Sequence, residues 1–109
     1  MFEVTLEEVR GVTVARPRLA RLDAHAAGEF RARLVPVATG KRELVVALDE
    51  VAFMDSTGLG ALVSVLKALA PGGQVKLVGV GSAVASILRV TRLEQVFARF
   101  GSVDEALAS

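Results

Sequence analysis

The chain has 109 residues, 52% of them hydrophobic, and a formal net charge of +1, which fits one domain, residues 1–109, with an ample core. It has no cysteine, which excludes disulfides, thiolate metal sites and a cysteine nucleophile. The balanced charge gives no reason to expect direct nucleic-acid or membrane binding. Five Phe without Trp or Tyr make poor stacking platforms, and a single His makes a transition-metal site improbable.

Val4-Thr5-Leu6-Glu7 and Val12-Thr13-Val14-Ala15-Arg16 both alternate, with a break at Arg10-Gly11. They predict a hairpin of two strands. Pro17 ends the second strand or marks it as an edge. Asp23 is a good N-cap for a helix over about Ala24–Val37, with Phe30, Leu34 and Val37 at helical spacing and Pro36 as a late kink or early end. Leu44–Leu48 is a continuous apolar run, as in a strand buried on both faces. Asp49–Asp55 reads as a connection. A second helix follows over about Ser56–Ala70, stopped by Pro71-Gly72-Gly73. Val75–Val78 is a strand, Ser82 caps a third helix to about Val90, and Phe97–Phe100 is a last short strand. Ser102 and Glu105 have capping-box spacing and open a terminal helix. The order ββαβαβαβα predicts an α/β fold with a mixed sheet and about four helices.

The chain contains no apolar run near the ~20 residues of a membrane span, and no basic region followed by a long apolar stretch at its start. The expectation is no membrane span, no signal peptide and a cytoplasmic location, which the lack of cysteine suits.

Phe53-Met54-Asp55-Ser56-Thr57-Gly58-Leu59-Gly60 lies where the loop after a buried strand enters a helix. Asp, Ser and Thr at a helix start are ordinary caps. The helix behind them is less ordinary. Leu59, Leu62, Val63, Leu66 and Leu69 form a core stripe, while Thr57, Ala61, Ser64 and Ala68 form a small, uncharged opposite face. Either another surface approaches that face closely, or a further element of this domain covers it. A hydroxyl at the first helical position is also a good phosphorylation switch. Phosphoserine there adds about −1.5 to −2 charge, which the helix dipole and free N–H groups tolerate but a desolvated interface beside Asp55 does not.

Asp55-Ser56-Thr57-Gly58-Leu59-Gly60, with Phe53-Met54 and the strand Leu44–Leu48 before it, resembles the signature of STAS domains. Within these it is most similar to the bacterial anti-sigma factor antagonists. Leu19-Ala20-Arg21-Leu22-Asp23 and Leu93-Glu94-Gln95-Val96-Phe97 fall where the family has a strand-to-helix junction and the approach to its last strand. The resemblance implies a regulatory protein, not an enzyme, with no cofactor and no metal. Its unphosphorylated form binds an anti-sigma factor serine kinase and frees a sigma factor. Phosphorylation of Ser56, with Thr57 as a secondary candidate, releases it, and a metal-dependent serine phosphatase resets it. A monomer or weak dimer is expected. The implied partner-binding residues are Asp23, Asp55, Ser56, Thr57, Gly58, Gly60, Ala61 and Ser64. Ala20 stands where the family often has Gly, so a positive φ there would strain the backbone. A STAS scaffold subunit in a larger complex, or a small-ligand-binding module of the same fold, are the rival roles.

His25 lacks neighbouring Ser, Cys or metal ligands and reads as a solvated surface residue. Arg10, Arg16, Arg18, Arg21, Arg31 and Arg33 read as a solvated or partner-facing surface. Gly79-Val80-Gly81-Ser82 lacks the third glycine of a dinucleotide fingerprint and any phosphate-loop lysine, and reads as a turn. Ser56 has no Gly-x-Ser-x-Gly elbow around it, so a hydrolase nucleophile is not expected.

Overall fold

The N-terminal alternation forms the expected hairpin of β1 (Glu3–Val9) and β2 (Val12–Arg18), in a computed structural model that describes residues 1–109. The tight turn holds both Arg10 and Gly11 at positive φ, 52° and 81°, the backbone twist that suits a two-residue hairpin. Along the chain follow β3 (Arg21–Leu22), α1 (Ala27–Ala38), β4 (Glu43–Ala47), β5 (Phe53–Met54) and α2 (Ser56–Ala68). Then come β6 (Gln74–Val78), α3 (Ser82–Val90), a 3₁₀ turn at Leu93–Gln95, β7 (Ala98–Phe100) and α4 (Val103–Ala108).

The main sheet has the order β1-β2-β4-β6-β7 and is parallel apart from β1. The strand order advances in one direction. Right-handed crossovers then bring α1, α2 and α3 to the same face, where they share a core of 21 buried residues. Leu44, Val46 and Leu48 point into that core. Val45 and Ala47 point the other way, into a smaller cluster with Val14, Val78 and Ala106 beneath α4. The run Leu44–Leu48 is therefore buried on both faces, as its unbroken hydrophobicity requires.

Five local expectations are corrected. Pro17 lies inside β2 instead of ending it. The β2–β4 ladder covers only Thr13–Ala15, so a missing N–H at Pro17 breaks no bond on that side. The α1 helix starts at Ala27 with no side-chain cap. Asp23 instead closes the turn before it: its carboxylate accepts from the His25 N–H at 3.0 Å, and its carbonyl accepts from the N–H groups of Ala26 and Ala27. Pro36 does not stop α1, which runs on to Ala38. Ser82 makes no capping hydrogen bond, and Gly81 holds the N-cap position of α3. Lastly, β3 and β5 pair in parallel as a separate two-stranded sheet, too short to show any periodicity in the sequence.

The terminal helix forms at its capping box. Ser102 Oγ accepts from the Glu105 N–H at 3.1 Å, while the Glu105 carboxylate reaches back one residue further than usual, to the Gly101 N–H at 2.8 Å. Lys76, the only buried charged residue, holds the far end of α4. Its Nζ donates to the carbonyls of Ala106 at 3.0 Å and Ser109 at 3.4 Å, and pairs with Glu43 at 2.8 Å. An ammonium at the last carbonyls of a helix satisfies orphan acceptors and complements the dipole. Lys76→Met keeps the packed stem and removes the charge. We expect stability to fall by about 2 kcal/mol and the α4 amides to lose hydrogen-exchange protection while those of α1 and α2 keep theirs. Unchanged α4 protection would refute the role given to Lys76.

Candidate functional site

The conspicuous motif is at the N-terminal end of α2, where β5 delivers the chain from the sheet's carboxyl edge. Asp55 is the N-cap, in extended conformation, and one carboxylate oxygen does most of the capping. Oδ1 accepts from the Thr57 N–H at 3.0 Å, the Gly58 N–H at 3.0 Å and the Thr57 hydroxyl at 2.5 Å. The Thr57 hydroxyl, then the Gly58 N–H, hold the Asp55 carboxyl below its usual range. Desolvation opposes them, and the N–H groups of Thr57 and Ala24 add to the lowering. Asp55 therefore orients the loop, and it is already engaged inside the domain.

A carboxyl of lowered pKa binds its proton less readily in the folded than in the unfolded chain. Its stabilisation is complete above the unfolded value of about 3.9 and is lost as pH falls through the folded value. Asp55→Asn keeps a capping oxygen and removes the charge. The stability gap to wild type is expected to be widest near neutrality and to shrink on acidification, read by urea unfolding at pH 7 and pH 3. A gap of equal size at both would show that the charge contributes nothing.

Ser56, next in sequence, is exposed, and its hydroxyl makes no hydrogen bond. Thr57 is exposed too, but its hydroxyl is bound to Asp55. Gly58 is buried. A Cβ there would sit 2.0 Å from the Leu22 carbonyl oxygen, because β3 passes directly beneath the first turn of α2. Leu22 pairs with Met54, and its carbonyl accepts the Asp55 N–H at 3.4 Å. Gly60 is exposed, with open space around it. Ala61 is fully buried. Ser64 is half-buried and donates its hydroxyl to the Gly60 carbonyl at 3.1 Å.

Two of the expected contact residues, Gly58 and Ala61, are buried in the packing of the domain. The small face of α2 is covered in part from within the domain, since α1 lies against it. Val65, absent from the expected stripe, is fully buried, while Val63 and Leu66 are only half-buried. Ser56, Thr57 and Gly60 remain open to solvent. Asp23 follows β3 as Asp55 follows β5, and the paired strands bring the two to the same end of the molecule.

Sequence reasoning missed the support under this end. Arg21 lies 4.2 Å over the Phe53 ring and pairs with Asp23 at 3.4 Å. Arg21 and Phe53 are register partners in β3 and β5, a pairing that periodicity could not show. Ala20 avoids positive φ, which among non-glycine residues occurs only at Arg10 and Arg92. Its carbonyl accepts the N–H groups of Ala52 and Phe53, so Ala fits without strain. His25 is exposed, as expected.

The model of the STAS domain family matches residues 3–106. The chain belongs to the STAS domain family. The chain is 33% identical over 76 residues to a Bacillus subtilis protein named anti-sigma-B factor antagonist, covering 69% of this chain and 70% of that one. An anti-sigma factor antagonist from Mycobacterium paratuberculosis has the same fold, with a TM-score of 0.86 at 24% identity over 99% of this chain and 92% of that one. The Bacillus cell fate determinant SpoIIAA, in its phosphorylated form, superposes with a TM-score of 0.68 at 22% identity over 97% of each chain. The STAS assignment accounts for the mixed sheet, with its three crossover helices on one face and a fourth on the other.

Proposed function

We propose that this STAS domain is an anti-sigma factor antagonist whose unphosphorylated form binds an anti-sigma factor serine kinase and frees a sigma factor. Phosphorylation of Ser56 switches the binding off, and a metal-dependent serine phosphatase restores it. One observation carries the choice of residue. Of the two adjacent hydroxyls at the head of α2, that of Ser56 is exposed and unbonded, while that of Thr57 is held by Asp55. The names of the Bacillus subtilis relative and of the phosphorylated SpoIIAA neighbour support the reading.

In the transfer, Ser56 Oγ attacks the γ-phosphorus of ATP, the bond to the β–γ bridging oxygen breaks, and ADP leaves. The hydroxyl proton passes to a base of the kinase; the adjacent Asp55 has its Oδ1 committed to the Thr57 N–H, the Thr57 hydroxyl and the Gly58 N–H. The new dianion meets a first turn whose Thr57 and Gly58 N–H groups are already occupied. It stays on the surface beside Asp55, where it repels carboxylates and resists desolvation.

The test is affinity capture from native extract with wild type and Ser56→Asp as parallel baits, read by mass spectrometry. A serine kinase of the anti-sigma type held by wild type and missing from the variant supports the proposal. Identical partners on both baits, or capture dominated by other STAS chains, would replace it with the scaffold role.

A further inference from the structure

The groove between α1 and α2 holds a second feature of the surface that bears Ser56. Five of the six arginines in the first third of the chain are paired: Arg10 with Asp104, Arg16 with Asp49, Arg18 with Glu50, Arg21 with Asp23 and Arg33 with Glu29. Arg31 makes no such pair, and neither does Lys67, the only charged residue of α2. These two unpaired cations line one groove of about 480 Å³, whose other walls are Ala32, Val35, Pro36 and Ser64. No carboxylate lines it. On α2, Ser56, Gly60, Ser64 and Lys67 follow one another at single-turn spacing, so the groove continues the face that begins at the free hydroxyl. Lys67 lies roughly 16 Å along the helix axis from Ser56.

We infer that this groove seats an acidic, amphipathic helical segment of the partner protein, with its apolar side on Ala32, Val35 and Pro36 and its carboxylates between Arg31 and Lys67. A helix lying between two helices is a common recognition mode, and two unpaired cations beside an apolar floor select a segment that is both apolar and anionic. The identity of the partner as the anti-sigma factor rests on the antagonist reading; the chemistry of the groove does not. The groove is about two Debye lengths from Ser56 at physiological salt, so a phosphate there leaves its attraction for an acidic segment intact. Contact at the groove and contact at Ser56 are then independent and additive.

The probe is a short synthetic helical peptide with leucines on one face and glutamates on the other, titrated into the ¹⁵N-labelled full chain. Its counterpart with lysine for glutamate is the control. The expected result is amide shifts centred on Ala32, Val35, Ser64 and Lys67, weakened by salt. Affinity is expected to fall about tenfold in the Arg31→Glu, Lys67→Glu double variant and to be unchanged by Ser56→Asp. Both changed residues are exposed, and thermal melts check that the double variant stays folded. Shifts elsewhere, equal binding of the lysine peptide, or full affinity in the double variant overturn the inference. A dimer seen by sedimentation and lost in the double variant also overturns it, in favour of a second copy of the chain. Because no kinase is present and Ser56→Asp is a silent control, failure here leaves the Ser56 reading standing, and loss of that reading leaves the groove's chemistry in place.

Discussion

Gly58→Ala is expected to lower the stability of the domain by about 3 kcal/mol, or roughly 15 °C in melting temperature. The new methyl carbon would lie 2.0 Å from the Leu22 carbonyl oxygen and 2.9 Å from its carbonyl carbon. Neither is the end of a flexible side chain. Leu22 is fixed by its pairing with Met54 and by the Asp55 N–H on its carbonyl, so relief requires α2 to lift from β3. Gly60→Ala is the control. It adds the same methyl to the same helix, where no heavy atom lies within 4 Å and φ is ordinary. There, helix propensity alone decides, and a gain of about 1 kcal/mol is expected. Thermal melts of the two variants should move in opposite directions. If both melt within two or three degrees of wild type, the close approach of β3 to α2 is wrong.

Ser56→Asp is expected to leave the melting temperature unchanged and to weaken binding to the anti-sigma kinase by about a hundredfold, near 2.7 kcal/mol. Ser56→Ala should bind like wild type and resist phosphorylation. The fold is indifferent because Ser56 is exposed and its hydroxyl holds nothing in place. On the proposed function the interface is sensitive, because a desolvated carboxylate at position 56 would stand next to Asp55, and the N–H groups of Thr57 and Gly58 that could have compensated it are already bonded to Asp55. Calorimetric titration of each variant with the captured kinase measures this directly. Equal affinity of Ser56→Asp and wild type would remove Ser56 from the switch.

The sequence was most legible where its pattern reflected one neighbour or none. The hairpin, the doubly buried run Leu44–Leu48, α2 and the capping box of α4 all follow from alternation, hydrophobic continuity or a local side chain. Legibility failed where two distant segments decide the outcome. Ala61 reads as part of a small outer face and Gly58 as a contact residue, yet Gly58 lies against the Leu22 backbone and Ala61 is fully buried. The pairing of Arg21–Leu22 with Phe53–Met54 has only two residues per strand, too few for a period, and it nevertheless sets the height at which α2 begins. Asp23 has the right chemistry for a helix cap and spends it on the preceding turn. Arg31 was indistinguishable from five other arginines until their carboxylate partners were known.

The three hydrogen bonds on Asp55 Oδ1 have a consequence for how a signal is kept. A domain that captured its own phosphate would convert modification into a new conformation. Here the Thr57 and Gly58 N–H groups are in use before the phosphate arrives, and only the Ser56 N–H of the first turn is left to receive it. On this reading, the record of past kinase activity lies only in one phosphoester bond. It lasts as long as that bond resists hydrolysis, and its duration is set by the supply of the enzyme that cuts it.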